Sequence, residues 1–594
     1  MDGQPEQEHM QRNSSRSMTR LSAGMAMIAG VLAGCNHGPV PTKDLLAPAS
    51  GEPELVAAAQ PSQSGQFLAA RQALYNQDVA TAGLFFDGAL PEETGNLMLL
   101  EQSFLSHYQS GNLDRAADVA VKLEQLGSQL GLSVEPALAA AVAAEDWQAV
   151  IALSENMAQT DQGYILSAGL RSWAYLGLKE PETALQEQQR LADFITDSQT
   201  EIPGELMLLQ RAYLAEMSGH TQEAVLVYQQ ASEQDHRSSY FTLAVASGLW
   251  RLGQTEAALA NLATYADNDV NVERLGPMFS AGQIHSAQAP QLAQMIARFI
   301  FEFSWFARLP GSQALVLPRL HLALSIWPEL DMAHLILAQT FSDGPDYERA
   351  SYHLDQLDTT SPYFVQAVML RMQLAHRTDN VSAAFAIMNK ALDQLAKTSP
   401  ASDLAHDQAA LYRYAGSLAR RAEIYSLAVD YFERALRFGP ETNFIYRNLG
   451  ISFEQLGQTK AAEDAFLKAL ALNPDDATTL NYIGYWWADE NRRLNEALSF
   501  IKRAVELRPS SGYFADSLGW VYFRLGKYDE AVNWLEKAIQ LAPTDPLISD
   551  HLGDAYWQVG RRLEAHYKWQ QALDMGIDDE FTDQIEEKIA NGLD

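Results

Sequence analysis

Five glycines in the C-terminal third keep one step. Gly416, Gly450, Gly484, Gly519 and Gly553 are separated by 34, 34, 35 and 34 residues. Around each the same apolar pattern returns. In NFIYRNLGISFEQLGQTKAAEDAFLKALALNP, Tyr446, Leu449, Gly450 and Phe453 share one face of a first helix, and Ala462, Phe466 and Ala469 share a face of a second. Pro474 stops that second helix, because proline cannot extend it. The next copies carry Gly484, Trp487, Ala497, Ile501, Ala504 and Pro509, then Leu518, Gly519, Tyr522, Ala531, Leu535, Ala538 and Pro543. The last carries Leu552, Gly553, Tyr556, Ala565, Trp569 and Ala572. Gly and Ala at the helix crossing let two backbones approach, and aromatic side chains fill the gap to the next helix. A single helix pair leaves an apolar face uncovered, so copies must stack.

The period and these positions resemble the tetratricopeptide repeat. Weaker copies continue upstream in the same phase: Leu337, Ala338, Phe341, Ala350, Leu354 and Pro362; Gly219, Ala224, Tyr228 and Ala231; Gly253, Ala258 and Leu262; Gly111 and Ala116; Ala70, Ala82, Phe86 and Ala89. The expected fold is all-α, a tetratricopeptide-repeat α-solenoid of antiparallel helix pairs. A break near 266–315 would divide it into two arms. The expected segments are 1–34 signal peptide, 35–64 acylated cysteine and tether, and 65–265 degenerate repeats. There follow 266–315 irregular connector, 316–404 divergent repeats, 405–578 regular repeats and 579–594 acidic capping helix. The greasiest internal stretch, Met295 to Leu309, is too short to span a bilayer and carries Arg298, Glu302 and Arg308. It reads as a buried helix.

The front end has its own logic. Arg12, Arg16 and Arg20 precede an apolar run, Leu21 to Gly34, which ends in Leu32-Ala33-Gly34-Cys35. That order matches a basic n-region and an h-region of signal-peptide length. It resembles the lipobox of bacterial lipoproteins, which implies that Cys35 is acylated and becomes the mature first residue. Cys35 is the only cysteine in the sequence, so an intrachain disulfide is excluded. The acidic start MDGQPEQEH is unusual before an n-region, and Met10 or Met18 as the start leaves a cleaner signal. Residues from Asn36 to about Ser64 are rich in Pro, Ala, Gly, Ser and Gln and read as a tether. In Gram-negative lipoprotein sorting, Asp after the cysteine retains a protein at the inner membrane. Asn36 therefore implies the outer membrane, on its periplasmic face.

Charge and motifs narrow the function classes. Lys and Arg number 42 against 75 Asp and Glu, a net charge of −33. Nucleic-acid affinity rests mostly on cations, so that class is a poor fit. There is no phosphate-binding glycine loop, no His-Glu-x-x-His and no Gly-x-Ser-x-Gly elbow. His551 and His566 lie fifteen residues apart with too few further ligands for a metal site. The pairs Asp475-Asp476 and Asp578-Asp579 sit at turns and read as caps and solvated loops rather than catalytic dyads. No cofactor, no metal and no enzyme activity is expected beyond the lipid on Cys35.

What remains is a groove. In tetratricopeptide arrays the first helices line the concave face, and the motif's exposed first-helix positions fall on nameable residues. These are Arg447, Ile451 and Gln455; Asn481, Tyr485 and Asp489; Tyr513, Asp516, Trp520, Phe523 and Arg524; and Asp550, Asp554, Trp557 and Gln558. Exposed aromatics among amides and carboxylates suit a peptide or helix partner. A competing reading packs Trp520 and Trp557 between repeats or against the capping helix.

Over 405–578 the chain is similar to a family of long tetratricopeptide lipoproteins of Gram-negative bacteria. The carriers are LNYIGYWWADENRRLNEALSFIKRAVELRP, DSLGWVYFRLGKYDEAVNWLEKAI and DHLGDAYWQVGRRLEAHYKWQQAL. Members include the adaptor that presents cell-wall hydrolases to a periplasmic carboxyl-terminal processing protease. The resemblance implies a non-enzymatic, lipid-anchored scaffold for periplasmic proteins. One alternative is an assembly factor for an outer-membrane machine such as a pilus, secretin, β-barrel or polysaccharide exporter. The other is an enzyme with an unrecognised site in 266–315.

Overall fold

The computed structural model describes residues 62–593 apart from 77, 91–95, 129, 158–160, 199–201, 235–237, 267–289, 307–312, 345, 379 and 399–400. Cys35, the signal segment, the tether to 61 and most of the expected connector lie outside the described residues. Among the described residues there are 29 α-helices and no strand. No helix among them is long and apolar enough to cross a membrane. Two compact units divide between Asp407 and Gln408, inside the helix Ala401–Arg421.

The C-terminal unit is built from helix pairs. Asn443–Gln455 pairs with Thr459–Leu472, Ala477–Asp489 with Leu494–Leu507, Gly512–Arg524 with Tyr528–Leu541, and Pro546–Gln558 with Arg562–Asp574. Asp579–Asn591 closes the series as a terminal helix. The glycine step has a steric cause. A Cβ on Gly450 would lie 2.7 Å from the Phe466 ring, one on Gly519 2.5 Å from Leu535 Cγ, and one on Gly553 2.5 Å from the Trp569 ring. The second-helix residues Phe466, Ile501, Leu535 and Trp569 press into those gaps and are 0% exposed. Each such side chain stabilises its pair by roughly 1.5–3 kcal/mol relative to exposure.

The one 35-residue step is explained by the turn inside its pair. Three residues join the two helices at 456–458, 525–527 and 559–561, with Gly457, Gly526 and Gly560 left-handed at φ +71, +71 and +82°. Four residues, 490–493, join Ala477–Asp489 to Leu494–Leu507, and here Asn491 and Arg493 adopt φ +56 and +49°. Arg493 is held there by Glu463, Glu496 and the Trp487 ring, 4.0 Å from its guanidinium.

The N-terminal unit is also made of helix pairs, and the upstream phase holds. Ala70, Ala82, Phe86, Ala116, Ala224 and Tyr228 are all 0% exposed, as are Ala258, Leu337, Ala338, Ala350 and Leu354. Gly111, Gly219 and Gly253 sit at the turns with φ +81, +81 and +76°. The expected break near 266–315 is not where the chain divides. The helix Leu292–Phe306 is a core element of the N-terminal unit, with Met295, Phe299, Ile300 and Phe301 at most 1% exposed. It packs on Asp161–Gly177, where a Cβ on Gly169 would fall 1.8 Å from the Phe299 ring. Gln313–Ile326 likewise returns to pack on Glu135–Ala143. The unit therefore joins helices far apart in sequence, which nearest-neighbour stacking alone does not do.

The charges on these helices are buried with partners. Arg319 Nη2 donates to Glu135 Oε1 at 2.7 Å across 184 residues, and Tyr108 donates to the same carboxylate. Glu302 accepts from Gln210 and from Tyr240, and burial pushes its carboxyl up to about 7. Arg298 lies over the rings of Tyr213 and Trp327. Burial would be prohibitive for these ions without such partners.

Candidate partner-binding surface

The residues expected to be exposed on the first helices of the C-terminal unit are not exposed. Asp516 is 0% exposed, and Asp550, Asp554, Asn481, Ile451, Tyr485 and Trp520 are 4–8% exposed. Arg447, Gln455, Asp489, Tyr513, Phe523, Arg524, Trp557 and Gln558 are half-buried. The cause is that neighbouring first helices use these positions to pack on one another. Phe523, Trp520 and His551 form one stack, with ring centroids 5.0 and 4.2 Å apart. Asp516 Oδ1 lies 2.9 Å from His551 Nδ1. Arg447 pairs with Asp476 at 2.8 Å, and Arg524 donates to the Asp489 carbonyl. Asp476, expected as a cap, stands at the start of Ala477–Asp489 but turns its carboxylate to Arg447, Asn443 and Thr479.

The terminal helix completes this arrangement. Lys588 Nζ donates to Asp550 Oδ1 at 2.8 Å and to Asp554 Oδ2 at 2.9 Å. Trp569 Nε1 donates to the other Asp554 oxygen, and Trp557 Nε1 to the Leu593 carbonyl. Ile585 is 0% exposed. Trp557 is thus covered by the terminal helix, and Trp520 is packed between first helices. Sequence reasoning missed the partners Lys588 and His551. The signal was there: two aspartates four residues apart on an inner face need a cation, and the terminal segment has one lysine.

Electrostatics follow from the packing. Burial and the neighbouring Asp550 push the Asp554 carboxyl up to about 6, against the pull of Lys588 and Trp569. Burial lowers Lys588, but Asp554 and Asp550 outweigh it and hold it above its ordinary value. Burial also lowers His551, and Asp516 outweighs that to leave it raised. Burial pushes Glu454 up to about 7 although Gln455 and Tyr482 bond to it. Of the expected groove residues, Gln455, Asp489, Tyr513, Phe523, Arg524 and Gln558 keep part of their surface exposed. Tyr513 also lines a recess of about 260 Å³ with Pro546, Met575 and Phe581.

One further titratable cluster lies in the N-terminal unit. His334 Nε2 lies 2.8 Å from the Pro328 carbonyl, so it carries the proton, and His334 Nδ1 accepts from His353 Nδ1 at 3.0 Å. His321 Nε2 accepts from Arg349 at 3.3 Å. Burial drives His321 down to about 4 and His353 to about 3. Among the described residues, no group of three His, Cys, Asp or Glu side chains is placed to hold a metal ion. His566 faces the rings of Trp557 and Trp569.

Stacked helix pairs with this step and these crossings define a class: an all-α tetratricopeptide-repeat solenoid, a scaffold for protein–protein interaction. Family descriptions agree, with "Tetratricopeptide repeat" matching residues 444–476 and "TPR repeat" matching 519–560. The TPR repeat-containing protein PA4667 of Pseudomonas aeruginosa is 41% identical over 58 residues, 10% of this chain and 10% of that relative. The chain thus matches only a tenth of that relative's length. Among solved structures, the chain is similar to YrrB, described as a TPR protein with an unusual peptide-binding site. That likeness has 28% identity over 30% of this chain and 86% of that one, with a TM-score of 0.24. It is also similar to the APC/C hetero-tetramer Cut9-Hcn1, at 15% identity over 90% and 96% of the two chains, with a TM-score of 0.36.

Proposed function

We propose that the protein is a lipid-anchored, non-enzymatic adaptor that gathers periplasmic proteins at the outer membrane and presents cell-wall hydrolases to a carboxyl-terminal processing protease. The observation that carries the reading is the union of two sequence features: a lipobox ending at Cys35, and a long array of repeats whose trade is protein binding. Anchoring and a two-partner scaffold replace a bimolecular search with a high effective concentration. Acylation by more than one chain makes such attachment stable. On the C-terminal face the partner would meet the half-buried Phe523 and Arg524 rather than the buried Trp520 and Asp516.

The test is affinity capture of the acylated protein from native envelopes, followed by identification of what accompanies it. A processing protease together with hydrolases is the expected result. Stoichiometric barrel or secretin proteins in their place would move the reading to an assembly factor. Cys35→Ser should abolish lipid labelling and release the protein from the membrane fraction, and unchanged labelling would sink the anchor.

A further inference from the structure

Three consecutive helices of the N-terminal unit each supply a histidine to one recess of about 470 Å³. His321 comes from Gln313–Ile326, His334 from Asp331–Asp343 and His353 from Tyr347–Asp355. His334 lies one turn from the core residues Leu337 and Ala338, and His353 one turn from Ala350. The packing that buries those residues therefore also brings the two rings together.

Each ring is oriented by a neighbour. His334 Nε2 donates to the Pro328 carbonyl at 2.8 Å, which leaves Nδ1 as a lone pair. His353 stacks on the Phe341 ring, with centroids 5.7 Å apart and planes 17° apart. The two Nδ1 atoms then face each other at 3.0 Å. Among the described residues no carboxylate bonds to any of the three rings, although acids are near. Asp114 lines the recess, Asp346 lies 3.8 Å from Arg349, and the Glu329 charge reaches His334. Arg349 is the one cation in the described lining. Burial holds all three histidines below their ordinary value, so lone pairs rather than protons are on offer at neutral pH.

Two lone-pair nitrogens 3.0 Å apart suit adjacent corners of a square. At a metal–nitrogen distance of about 2.0–2.1 Å they subtend roughly 90–100°, whereas tetrahedral corners lie about 3.3 Å apart. We propose that His334 Nδ1 and His353 Nδ1 form a cis pair of ligands for Cu(II), with water in the remaining corners. Square-planar and tetragonal nitrogen sites favour Cu(II) and Ni(II), and Cu(II) binds the tighter. The His353 proton moves from Nδ1 to its own Nε2, so neither ring changes charge, and each ring tilts to aim its lone pair beside the N–N line. The Pro328 carbonyl is the outer support that a metal-bound imidazole uses. His321 is not a ligand: Arg349 donates to its Nε2 at 3.3 Å, and three side chains do not converge on one point. The site stands apart from the proposed adaptor role and holds whether or not Cys35 is acylated.

The experiment uses the full chain carrying Cys35→Ser, which removes the thiol that would reduce Cu(II). Cu(II) is titrated at about pH 7.5 against glycine, a competitor that strips scattered single histidines. One equivalent should bind, and its electron paramagnetic resonance spectrum should be axial with coupling to two imidazole nitrogens. His334→Gln and His353→Gln should each lower affinity at least tenfold with an unchanged circular dichroism spectrum, and His321→Gln should change it less than twofold. Zn(II) should bind at least tenfold more weakly than Cu(II). Where a variant fails to fold, the unsubstituted site decides: one equivalent of Cu(II) should slow hydrogen exchange in peptides covering 331–355. The proposal is overturned if the folded His334 and His353 variants keep full affinity, which would mean adventitious copper only. It is equally overturned if the spectrum shows fewer than two imidazole nitrogens, if exchange over 331–355 is unchanged, or if Zn(II) binds as tightly as Cu(II).

Discussion

Replacing His321 and His353 with glutamine should flatten the acid sensitivity of the N-terminal unit. Both rings are neutral in the folded chain, because burial holds them at about 4 and about 3 against an ordinary value of 6.5. Arg349, which bonds His321 and lies over Phe341, adds a repelling cation, and His334 repels both. A base whose folded value is depressed stabilises the fold above its unfolded value and loses that contribution as pH falls. At about pH 5.0 the unfolded rings are protonated and the folded ones are not. Each ring then forfeits about 1.5 pH units, roughly 2 kcal/mol, or ~4 kcal/mol for the pair. This sum needs only that both folded values lie below 5. Glu302 in the same unit acts oppositely. Its folded carboxyl, raised to about 7 from 4.5, contributes fully below 4.5 and is lost as pH rises through about 7. Acidification to about pH 5.0 therefore returns roughly 2–3 kcal/mol through Glu302. The wild-type profile is a partial cancellation, and the double difference between wild type and His321→Gln/His353→Gln isolates the histidines. Hydrogen exchange of peptides covering 313–355 at about pH 7.5 and 5.0, corrected for intrinsic rates, reads it locally. If the variant loses as much protection on acidification as the wild type, the neutral-histidine account is wrong.

Gly169→Ala should destabilise the N-terminal unit by about 3 kcal/mol, since the new methyl meets the Phe299 ring at 1.8 Å; Phe299→Leu in the same chain should restore part of the lost melting temperature, and an unshifted single variant would refute the packing. Lys588→Met leaves Asp550 and Asp554 buried without their ammonium and should weaken the docking of the terminal helix by ~3 kcal/mol. Faster exchange confined to 579–591 and a red-shifted Trp557 emission would show it, whereas wild-type protection there would not be compatible with the ion pairs. Asp516→Asn should lower the His551 titration midpoint, because burial then meets less opposition; an unmoved imidazole resonance in a pH series would contradict the pairing.

The repeat architecture was legible because its cause is local and periodic. Gly450, Gly519 and Gly553 recur since the same second-helix side chain presses on each, and a steric need repeated at one step prints itself in the sequence. The extra residue between Gly484 and Gly519 was visible as a longer step, though not its form, two left-handed residues at Asn491 and Arg493. The N-terminal unit was less legible. Its helices Leu292–Phe306 and Gln313–Ile326 satisfy charges on distant helices: Glu302 on Gln210 and Tyr240, 92 and 62 residues away, and Arg319 on Glu135 across 184 residues. No period records a contact of that kind. The apolar run announced a buried helix, which the structure shows over the described part of it, to Phe306, yet the irregular repeats of 266–315 suggested a break where this helix is part of a core.

The first-helix positions failed for a related reason. A motif assigns a side chain to a face, but it does not say whether that face meets solvent or the next helix. Asp516, Trp520, Asp550 and Asp554 are polar or amphipathic, and in a sequence such residues read as surface. In the fold each finds a partner supplied by another element: His551 for Asp516 and Trp520, and Lys588 for Asp550 and Asp554. A buried polar group is tolerated when its partners are present, so polarity at an inner register signals a matched pair as readily as an open site.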